Sequence, residues 1–387
     1  MIYLFWITLF FVVYTYFLFP ITVMLVARKK HINKNVFRSE NEISSVSILI
    51  AAHNEQFIIK EKVISIINSN FPTDKIEIII VSDCSTDNTN QIISELAEVF
   101  PFIKTHTLNR RTGKAGAINK LVDLARNDIL IITDANIIFS NNTIFNLVKH
   151  FKNDKIGLVD SNIVNSGVQK NGISLQEKTY ISAEVNFKHA ESKIWEKLMG
   201  PFGGCFAIRK SLFSPIPEHF LVDDFFVCMN ILKNGSHSIN DLEAVVFENV
   251  SNELSEEFRR KRRISKGNFI NLFHFRNLLN PFKQLGFIFI SHKVLRWLTP
   301  LFLIMVFVSS YALISKSIFY QLSFVLQISL IILPFIDYIL HKIGIHILVL
   351  RFITHFYSMN FAMLFGMFDY FFSSETGLWE PTKRKQK

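Results

Sequence analysis

The strongest constraint on the fold of this 387-residue chain is an uncharged apolar run near its amino terminus. The run covers residues 2–27 and contains no charged side chain. About 20 apolar residues in a helix cross a bilayer core, so this run can span a membrane even when tilted. A cleaved signal peptide would carry basic residues before the run, whereas here they follow it at 28–34. We therefore predict an N-terminal transmembrane helix over residues 1–28, with the segment after it in the cytoplasm.

A second apolar region lies near the carboxyl terminus. Its three apolar stretches are at 297–314, 317–336 and 345–372. They predict C-terminal membrane helices over residues 297–372. The preceding segment, 271–296, is predicted to lie at the interface as an amphipathic helix. Residues 373–387 form a basic tail that we expect in the cytoplasm. Three full crossings would put this tail outside the cell, so we expect one of the stretches to lie in the interface.

The composition fits a membrane protein better than a nucleic-acid-binding protein. Hydrophobic residues make up 49% of the chain, and the formal net charge is +10. The basic residues cluster beside the apolar segments, where they orient a chain or contact anionic lipids. We expect membrane lipids and no nucleic acid as partners. Cys84, Cys205 and Cys228 are odd in number and lack metal-site spacing, which favours a reducing compartment without disulfides or zinc.

Between the two apolar ends, strand-length apolar runs alternate with helical patterns. These runs are at 46–51, 76–81, 102–108 and 129–133. Continuous apolar runs of this length are typical of parallel strands buried on both faces. The alternation predicts an open α/β sheet, which binds ligands beyond the carboxyl ends of its strands. From about 156 to 250 the alternation gives way to a mixed pattern of loops and helices.

Polar residues follow the first two predicted strands. Asn54 and Glu55 lie in a short turn that can receive the base or ribose of a nucleotide. Asp83 ends the second strand, where its carboxylate can accept a hydrogen bond from a nucleoside, and Asp87 precedes a helix whose N-terminus favours phosphate. Asp and Asn also crowd helix starts as ordinary caps, so both interpretations stay open for these turns.

The next two strands are followed by residues suited to a diphosphate. Gly113 and Lys114 form a glycine loop with a lysine at a helix start, without the spacing of an ATPase phosphate loop. Asp134 and Asn136 offer two oxygen ligands for Mg2+ or Mn2+. A turn built on Asp and Asn is the alternative interpretation of this second motif.

Two further charged motifs lie beyond the predicted sheet. Asp223 and Asp224 are adjacent carboxylates in an apolar frame, which raises the pKa of a carboxyl and suits a general base. A helix start with surface acids is the alternative. The basic run 259–263 either contacts lipid or holds phosphates.

These motifs, in this order, resemble the membrane-bound branch of glycosyltransferase family 2, which includes poly-N-acetylglucosamine, hyaluronan, chitin and cellulose synthases. The resemblance covers about 44–270 and implies a cytoplasmic catalytic domain with the GT-A fold of nucleotide-diphospho-sugar transferases. It also implies a UDP-sugar donor, a glycan or lipid-linked acceptor, and Mg2+ or Mn2+ as cofactor.

The resemblance assigns roles to individual residues. It places Asp224 as the catalytic base beside Asp223, Asp83 on uracil, and Asp134 with Asn136 on the metal. The other residues that it places at the donor are Asn54, Glu55, Asp87, Gly113, Lys114, Arg260, Arg263 and Trp379. The residues that it places on the acceptor side are Gly203, Gly204 and Cys205.

The chain departs from the family pattern at three positions. Asn136 replaces the second aspartate of the family's DxD motif, which puts metal binding in doubt. Arg260 and Ile264 replace the glutamine and tryptophan of its QxxRW motif. Because that tryptophan helps to form the acceptor site of processive synthases, polymerisation is in doubt, and transfer of one or a few sugars stays open.

The sequence thus predicts a multi-pass cell-membrane protein, an inverting glycosyltransferase of the hexosyltransferase type, acting in polysaccharide or glycolipid synthesis. Two hypotheses of other classes remain. One is a catalytically inactive nucleotide-binding module that guides a partner synthase. The other is a nucleotide-sensing membrane transporter.

Overall fold

The computed structural model describes residues 1–167, 172–249 and 251–373. These residues divide into two compact units. The α/β unit contains residues 23–167 and 180–249, and the helical unit contains residues 1–22, 172–179 and 251–373. Residues 251–270, which we expected at the end of the catalytic domain, group with the helical unit.

The α/β unit is built on a mixed eight-stranded sheet. Its strands are β1 (Val46–Ala52), β2 (Ile76–Ser82), β3 (Ile103–Thr107), β4 (Ile129–Asp134), β5 (Ile138–Phe139), β6 (Ile156–Ser166), β7 (Cys205–Arg209) and β8 (His237–Asn249). The spatial order is β3-β2-β1-β4-β7-β6-β8-β5. The first four strands run parallel, β7 is antiparallel to β4 and β6, β6 and β8 are parallel, and β5 is antiparallel to β8.

The helices of both units complete the described structure. They are α1 (Ile2–Val13), α2 (Phe19–Ala27), α3 (Ile59–Ile67), α4 (Thr89–Val99), α5 (Gly113–Leu124), α6 (Thr143–Val148), α7 (Ser174–Trp195), α8 (Asp223–Lys233), α9 (Leu254–His274), α10 (Gln284–Phe289), α11 (Leu295–Ala312), α12 (Ile318–Lys342) and α13 (Leu348–Phe372). A π-helical turn joins α1 to α2, and another joins α10 to α11.

The four predicted strands of the parallel half are confirmed to within two residues at each end. Every residue of β1 and β2 is buried, because helices cover both faces of the sheet. In the parallel half of the sheet, β1 lies between β2 and β4. In open α/β sheets, ligands bind beyond the carboxyl ends of the strands at such a point. The predicted nucleotide and metal residues therefore meet at one edge of the sheet.

The stretch from 156 to 249 is more regular than the sequence indicated. It contains the long strands β6 and β8 in place of the expected loops. Asp160 and Asn240 lie in the interior of these strands with no exposed surface, so they interrupt the apolar pattern. Each of the two side chains has a buried polar partner. Lys188 pairs with Asp160 at 2.9 Å, and Asn240 donates to the Ser161 carbonyl at 2.8 Å.

Among the residues that the structure describes, four helical runs are long and apolar enough to cross a membrane. They are Ile2–Ala27, Gln284–Ala312, Ile318–Lys342 and Leu348–Phe372. The second run is continuous through position 296, where the sequence predicted the end of a separate interfacial segment. Asn280 and Pro281 interrupt the helical pattern before α10. No helix-breaking residue lies between α10 and α11, so the helical run continues from one into the other.

Within the helical unit, the basic helix α9 packs along α13. Arg262 donates to both carboxylate oxygens of Asp369, at 2.6 and 2.7 Å. The Ser265 hydroxyl donates to the Met363 carbonyl at 2.7 Å. Arg262, which belongs to the basic run of α9, therefore binds α13.

Candidate active site

The turns after β1 and β2 are held together by side chains from each. Asn54 adopts a left-handed backbone conformation with φ 55°, and its side-chain oxygen accepts a hydrogen bond from the Thr86 amide at 2.8 Å. The Asp87 carboxylate accepts from the amides of Thr89 at 3.0 Å and Gln56 at 3.1 Å. Asp87 thus joins the first amide of α4 to the turn after β1. A donor contact by Asn54, Glu55 or Asp87 stays a prediction.

Asp83 fixes the start of the glycine loop. Its side chain is only 1% exposed. One carboxylate oxygen accepts from the Thr112 amide at 2.8 Å, and the other accepts from the Gly113 amide at 2.9 Å. Gly113 has φ +73°, a left-handed conformation that glycine adopts at little cost. Asp83 thus sets where α5 begins and where Lys114 projects, while its contact to a base stays a prediction.

Lys114 joins two carboxylates that are distant in sequence. Its ammonium lies 2.7 Å from Asp134 Oδ1 and 3.7 Å from Asp223 Oδ2. Burial opposes the charge of Lys114, but the carboxylates of Asp134 and Asp223 outweigh it and raise the pKa of Lys114. The ammonium is therefore charged at neutral pH and lies between the predicted metal ligand and the predicted catalytic pair.

Asp223 and Asp224 form the first turn of α8, the former buried and the latter half-buried. Burial and the neighbouring Asp223 raise the pKa of Asp224 to about 7, although Lys114 opposes the shift. A carboxyl with this pKa can accept a proton near neutral pH.

The predicted acceptor-side loop lies against Asp224. Gly203 has φ +55°, and a Cβ atom there would lie 2.9 Å from Asp224 Oδ2. Glycine therefore allows the loop to approach the carboxylate. The Gly204 carbonyl accepts from the Asp134 amide at 2.9 Å, which ties the loop to the end of β4. Cys205 is buried in β7, and burial raises the pKa of its thiol to about 12, so it supplies no thiolate.

The residues at the end of β4 fit a divalent cation by their donor chemistry. Asp134 and Asn136 are both half-buried and offer the oxygen ligands that Mg2+ and Mn2+ prefer. In the described part of the chain, no group of three His, Cys, Asp or Glu side chains is placed to hold a metal on its own. A cation at Asp134 would therefore need further oxygens, such as those of a diphosphate.

Three side chains near this site were not singled out from the sequence. Lys62 of α3 is fully buried and donates to the Thr133 hydroxyl at 2.9 Å and the Ile137 carbonyl at 2.6 Å. In the sequence, Thr133 and Ile137 flank the segment that contains Asp134 and Asn136. Burial lowers the pKa of Lys62 to about 7. The available signal was a lysine next to Val63 on the apolar side of an amphipathic helix.

The other two side chains are Asp160, which contacts the acceptor-side loop, and Glu248, which contacts Asn136. Asp160, paired with Lys188, accepts from the Phe202 amide at 3.1 Å and so holds the residue before Gly203. The Asn136 side-chain amide donates to Glu248 at 3.3 Å. Both carboxylates lie inside strands that the sequence did not predict.

The remaining donor-site predictions are not tested by this geometry. Arg260 and Arg263 lie on α9 in the helical unit, where Arg260 pairs with Glu257 at 3.3 Å. Trp379 lies outside the described residues.

Comparison with known proteins finds relatives of this chain in sequence and in fold. Residues 47–216 match the family model described as glycosyl transferase family 2. A solved mannosyltransferase from Pyrobaculum calidifontis, in complex with GDP-Man and Mn2+, aligns over 96% of this chain and 100% of its own with a TM-score of 0.70. At 20% sequence identity, this likeness shows the fold alone.

Curated relatives are glycosyltransferases. The probable glycosyltransferase YdaM of Bacillus subtilis is 27% identical over 59% of this chain and 56% of its own length. The beta-monoglucosyldiacylglycerol synthase of a Nostoc species is 26% identical over 43% of this chain and 36% of its own. The poly-beta-1,6-N-acetyl-D-glucosamine synthase of Staphylococcus aureus is 30% identical over 34% of this chain and 31% of its own. The chain thus spans about half or less of these relatives. Residues 47–216 are thus similar to glycosyl transferase family 2, and the chain has the GT-A fold.

Proposed function

We propose that this enzyme is a membrane-anchored inverting glycosyltransferase that moves a hexose from a UDP-sugar to a glycan or lipid-linked acceptor. The observation that carries the proposal is the meeting of Asp134, Lys114 and Asp223 at one edge of the sheet, with Asp224 next in the chain. The site thus combines a carboxylate for a metal, a fixed cation, and a carboxyl whose pKa is raised towards neutrality.

Asp224 acts as the general base in this proposal. Its carboxylate takes the proton of the acceptor hydroxyl, and the hydroxyl oxygen attacks the anomeric carbon of the donor. The bond from that carbon to the diphosphate breaks, and its electron pair leaves with the diphosphate. Attack opposite to the leaving group inverts the anomeric configuration in a single displacement. The half-buried position of Asp224 beside Gly203 supports this role, because an acceptor arriving along the loop meets the carboxylate.

Other groups of the site stabilise the negative charge that develops on the leaving diphosphate. Lys114 supplies a buried ammonium held by Asp134 and Asp223. Asp134 and Asn136 would hold Mg2+ or Mn2+, which when bound offsets the negative charge of the leaving group. Arg260, Arg263 and Trp379 are proposed as further donor contacts, and Asp83 as the contact to uracil.

The membrane part of the proposal is supported by the four apolar helical runs. The basic residues at 28–34 favour a cytoplasmic location for the catalytic domain. We propose a multi-pass protein that meets its acceptor at the cytoplasmic face.

The test is nucleotide release by the purified, detergent-solubilised protein across a panel of UDP-sugars and GDP-sugars, with and without Mn2+. Metal-dependent UDP release from one donor supports the proposal and identifies the sugar. Release from a GDP-sugar alone would keep the transferase class and overturn the UDP assignment. Binding of UDP with no release from any donor, in the presence of membrane lipid extract as an acceptor source, would favour a nucleotide-binding module instead.

A further inference from the structure

Glu248 occupies a position where a carboxylate is costly. Burial alternates along the end of β8, so that Val246 and Glu248 are buried while Phe247 and Asn249 are exposed. Glu248 is 7% exposed, on the same face of the strand as the core residue Val246. A buried carboxylate lowers stability unless hydrogen bonds or charges compensate it. A side chain that serves only packing at this position would be apolar, so the position of Glu248 calls for a reason beyond packing.

The register of the sheet places Glu248 beside the predicted metal site. Strand β5 pairs antiparallel with β8, with Ile138 opposite Phe247 and Phe139 opposite Val246. Continued by one residue, this register places Glu248 opposite Ile137, which is next to Asn136 in the chain. Glu248 Oε1 accepts a hydrogen bond from Asn136 Nδ2 at 3.3 Å.

This contact determines which end of the Asn136 amide is presented to the metal site. An ionised carboxylate only accepts hydrogen bonds, so the NH2 group of the amide must face Glu248. The amide oxygen then lies at the other end of the group. Without such a partner, the amide can turn over and present NH2, which cannot bind a cation.

The backbone of the same turn is fixed independently. Lys62 donates to the Thr133 hydroxyl before the turn and to the Ile137 carbonyl after it. The Asp134 amide donates to Gly204. Within the described residues, the hydrogen bond to Glu248 is the contact that orients the Asn136 side chain.

We propose that Glu248 is a positioning residue that holds the Asn136 amide with its oxygen towards the cation bound by Asp134. The pair also retains the negative charge that is lost where asparagine replaces the second aspartate, because the carboxylate now lies on β8. This inference rests on the proposed function, since it assigns a partner to the metal site of that function.

The test is Mn2+ affinity, measured by electron paramagnetic resonance of free Mn2+ with UDP or GDP present and no sugar. The variants are Glu248→Gln, Asn136→Asp and the double variant Asn136→Asp with Glu248→Gln. Glu243→Gln is the matched control, because it removes the same charge from an exposed position on the same strand. The melting temperature of each variant is measured alongside.

We expect Glu248→Gln to weaken Mn2+ binding about tenfold, the size of effect typical for a partner that orients a metal ligand. Asn136→Asp alone faces Glu248 with a second carboxylate and also weakens binding. The double variant restores affinity to within about threefold, because the glutamine amide introduced on β8 can donate to the new carboxylate. Glu243→Gln leaves affinity unchanged.

Two results overturn the inference alone, namely a Glu248→Gln affinity equal to that of the wild type, or a double variant no tighter than Asn136→Asp. A wild-type protein that fails to bind Mn2+ in the presence of either nucleotide overturns the metal site of the proposed function, and the inference with it. The double variant keeps the test decisive if a single variant folds poorly, because it recreates the hydrogen bond between the two positions.

Discussion

Asp224 lies where two effects oppose its ionisation. It is half-buried, and Asp223 precedes it in the same helical turn. The Lys114 ammonium lies 3.7 Å from Asp223 and favours the charged form of Asp224. The balance keeps the pKa of Asp224 near 7, which suits a base that must take a proton from a hydroxyl and later release it.

The pH dependence of transfer should report this balance. Because the carboxylate is the active form, kcat/KM should rise with pH and level off above an apparent pKa of about 7. Lys114→Met should lower kcat/KM about 100-fold, since a fixed charge at the proposed diphosphate site is lost. It should also move the acidic limb to higher pH, because Lys114 holds the pKa of Asp224 down. A profile whose acidic limb is the same in both proteins would contradict the assignment of Asp224.

Gly203 allows a second prediction at the residue scale. Gly203→Ala places a methyl group 2.9 Å from the Asp224 carboxylate and forces alanine into a left-handed conformation. Gly235→Ala is the matched control, since Gly235 has φ +84° with nothing within 4 Å of the added Cβ. Both variants should lose about 1 kcal/mol of stability.

Only Gly203→Ala should also lose about 100-fold in kcat, because it displaces the base. The measurements are thermal unfolding and nucleotide release. Equal kcat values in the two variants would argue against contact between the loop and the base.

At the scale of elements, the sequence predicted the strands of the parallel half of the sheet but not those of the mixed half. The strands β1 and β2 are apolar throughout because both faces are covered, so their runs stand out. The strands β6 and β8 carry Asp160 and Asn240 in their interiors, and their partners come from distant parts of the chain.

The same reason explains which residues of the candidate site the sequence could indicate. Asp134 and Asp224 lie at an element boundary, where a polar motif is visible. Lys62 and Glu248 support the site from inside buried elements. Their role depends on contacts to residues about 70 and 110 positions away, which no local pattern reveals.

Lys62 gives a test at this scale. Lys62→Met keeps the volume of the buried side chain but removes both donors to the turn around Asp134. We expect the apparent KM for Mn2+ to rise about tenfold, because the turn that carries the proposed metal ligands loosens. Lys60→Met, at an exposed position of the same helix, is the control and should leave it unchanged. The measurement is nucleotide release against Mn2+ concentration, and an unchanged KM in Lys62→Met would contradict the role of this lysine.

At the scale of the whole molecule, the proposed function requires a particular orientation in the membrane, with the catalytic domain in the cytoplasm. Residue 316 lies between two of the runs that are long enough to cross a membrane, in an exposed turn. If the catalytic domain is cytoplasmic and Gln284–Ala312 crosses the membrane, Lys316 is outside the cell. The native cysteines all lie in the α/β unit.

This orientation can be measured with a membrane-impermeant maleimide. The Lys316→Cys variant should be labelled in intact cells, whereas the wild type should be labelled only after permeabilisation. Asn35→Cys, in the segment after the first helix, should behave as the wild type in intact cells. Labelling of Asn35→Cys but not of Lys316→Cys in intact cells would reverse the orientation.

The most direct test of the central claim compares the wild type with Asp224→Asn in nucleotide release and in nucleotide binding. Asparagine keeps the shape of the side chain but cannot take the proton. We predict that release falls by about 100- to 10,000-fold while the Kd for the nucleotide with Mn2+ stays within about threefold. The melting temperature should not fall, because a charge is removed from a partly buried carboxylate pair. An Asp224→Asn protein that transfers sugar at the wild-type rate would contradict the account.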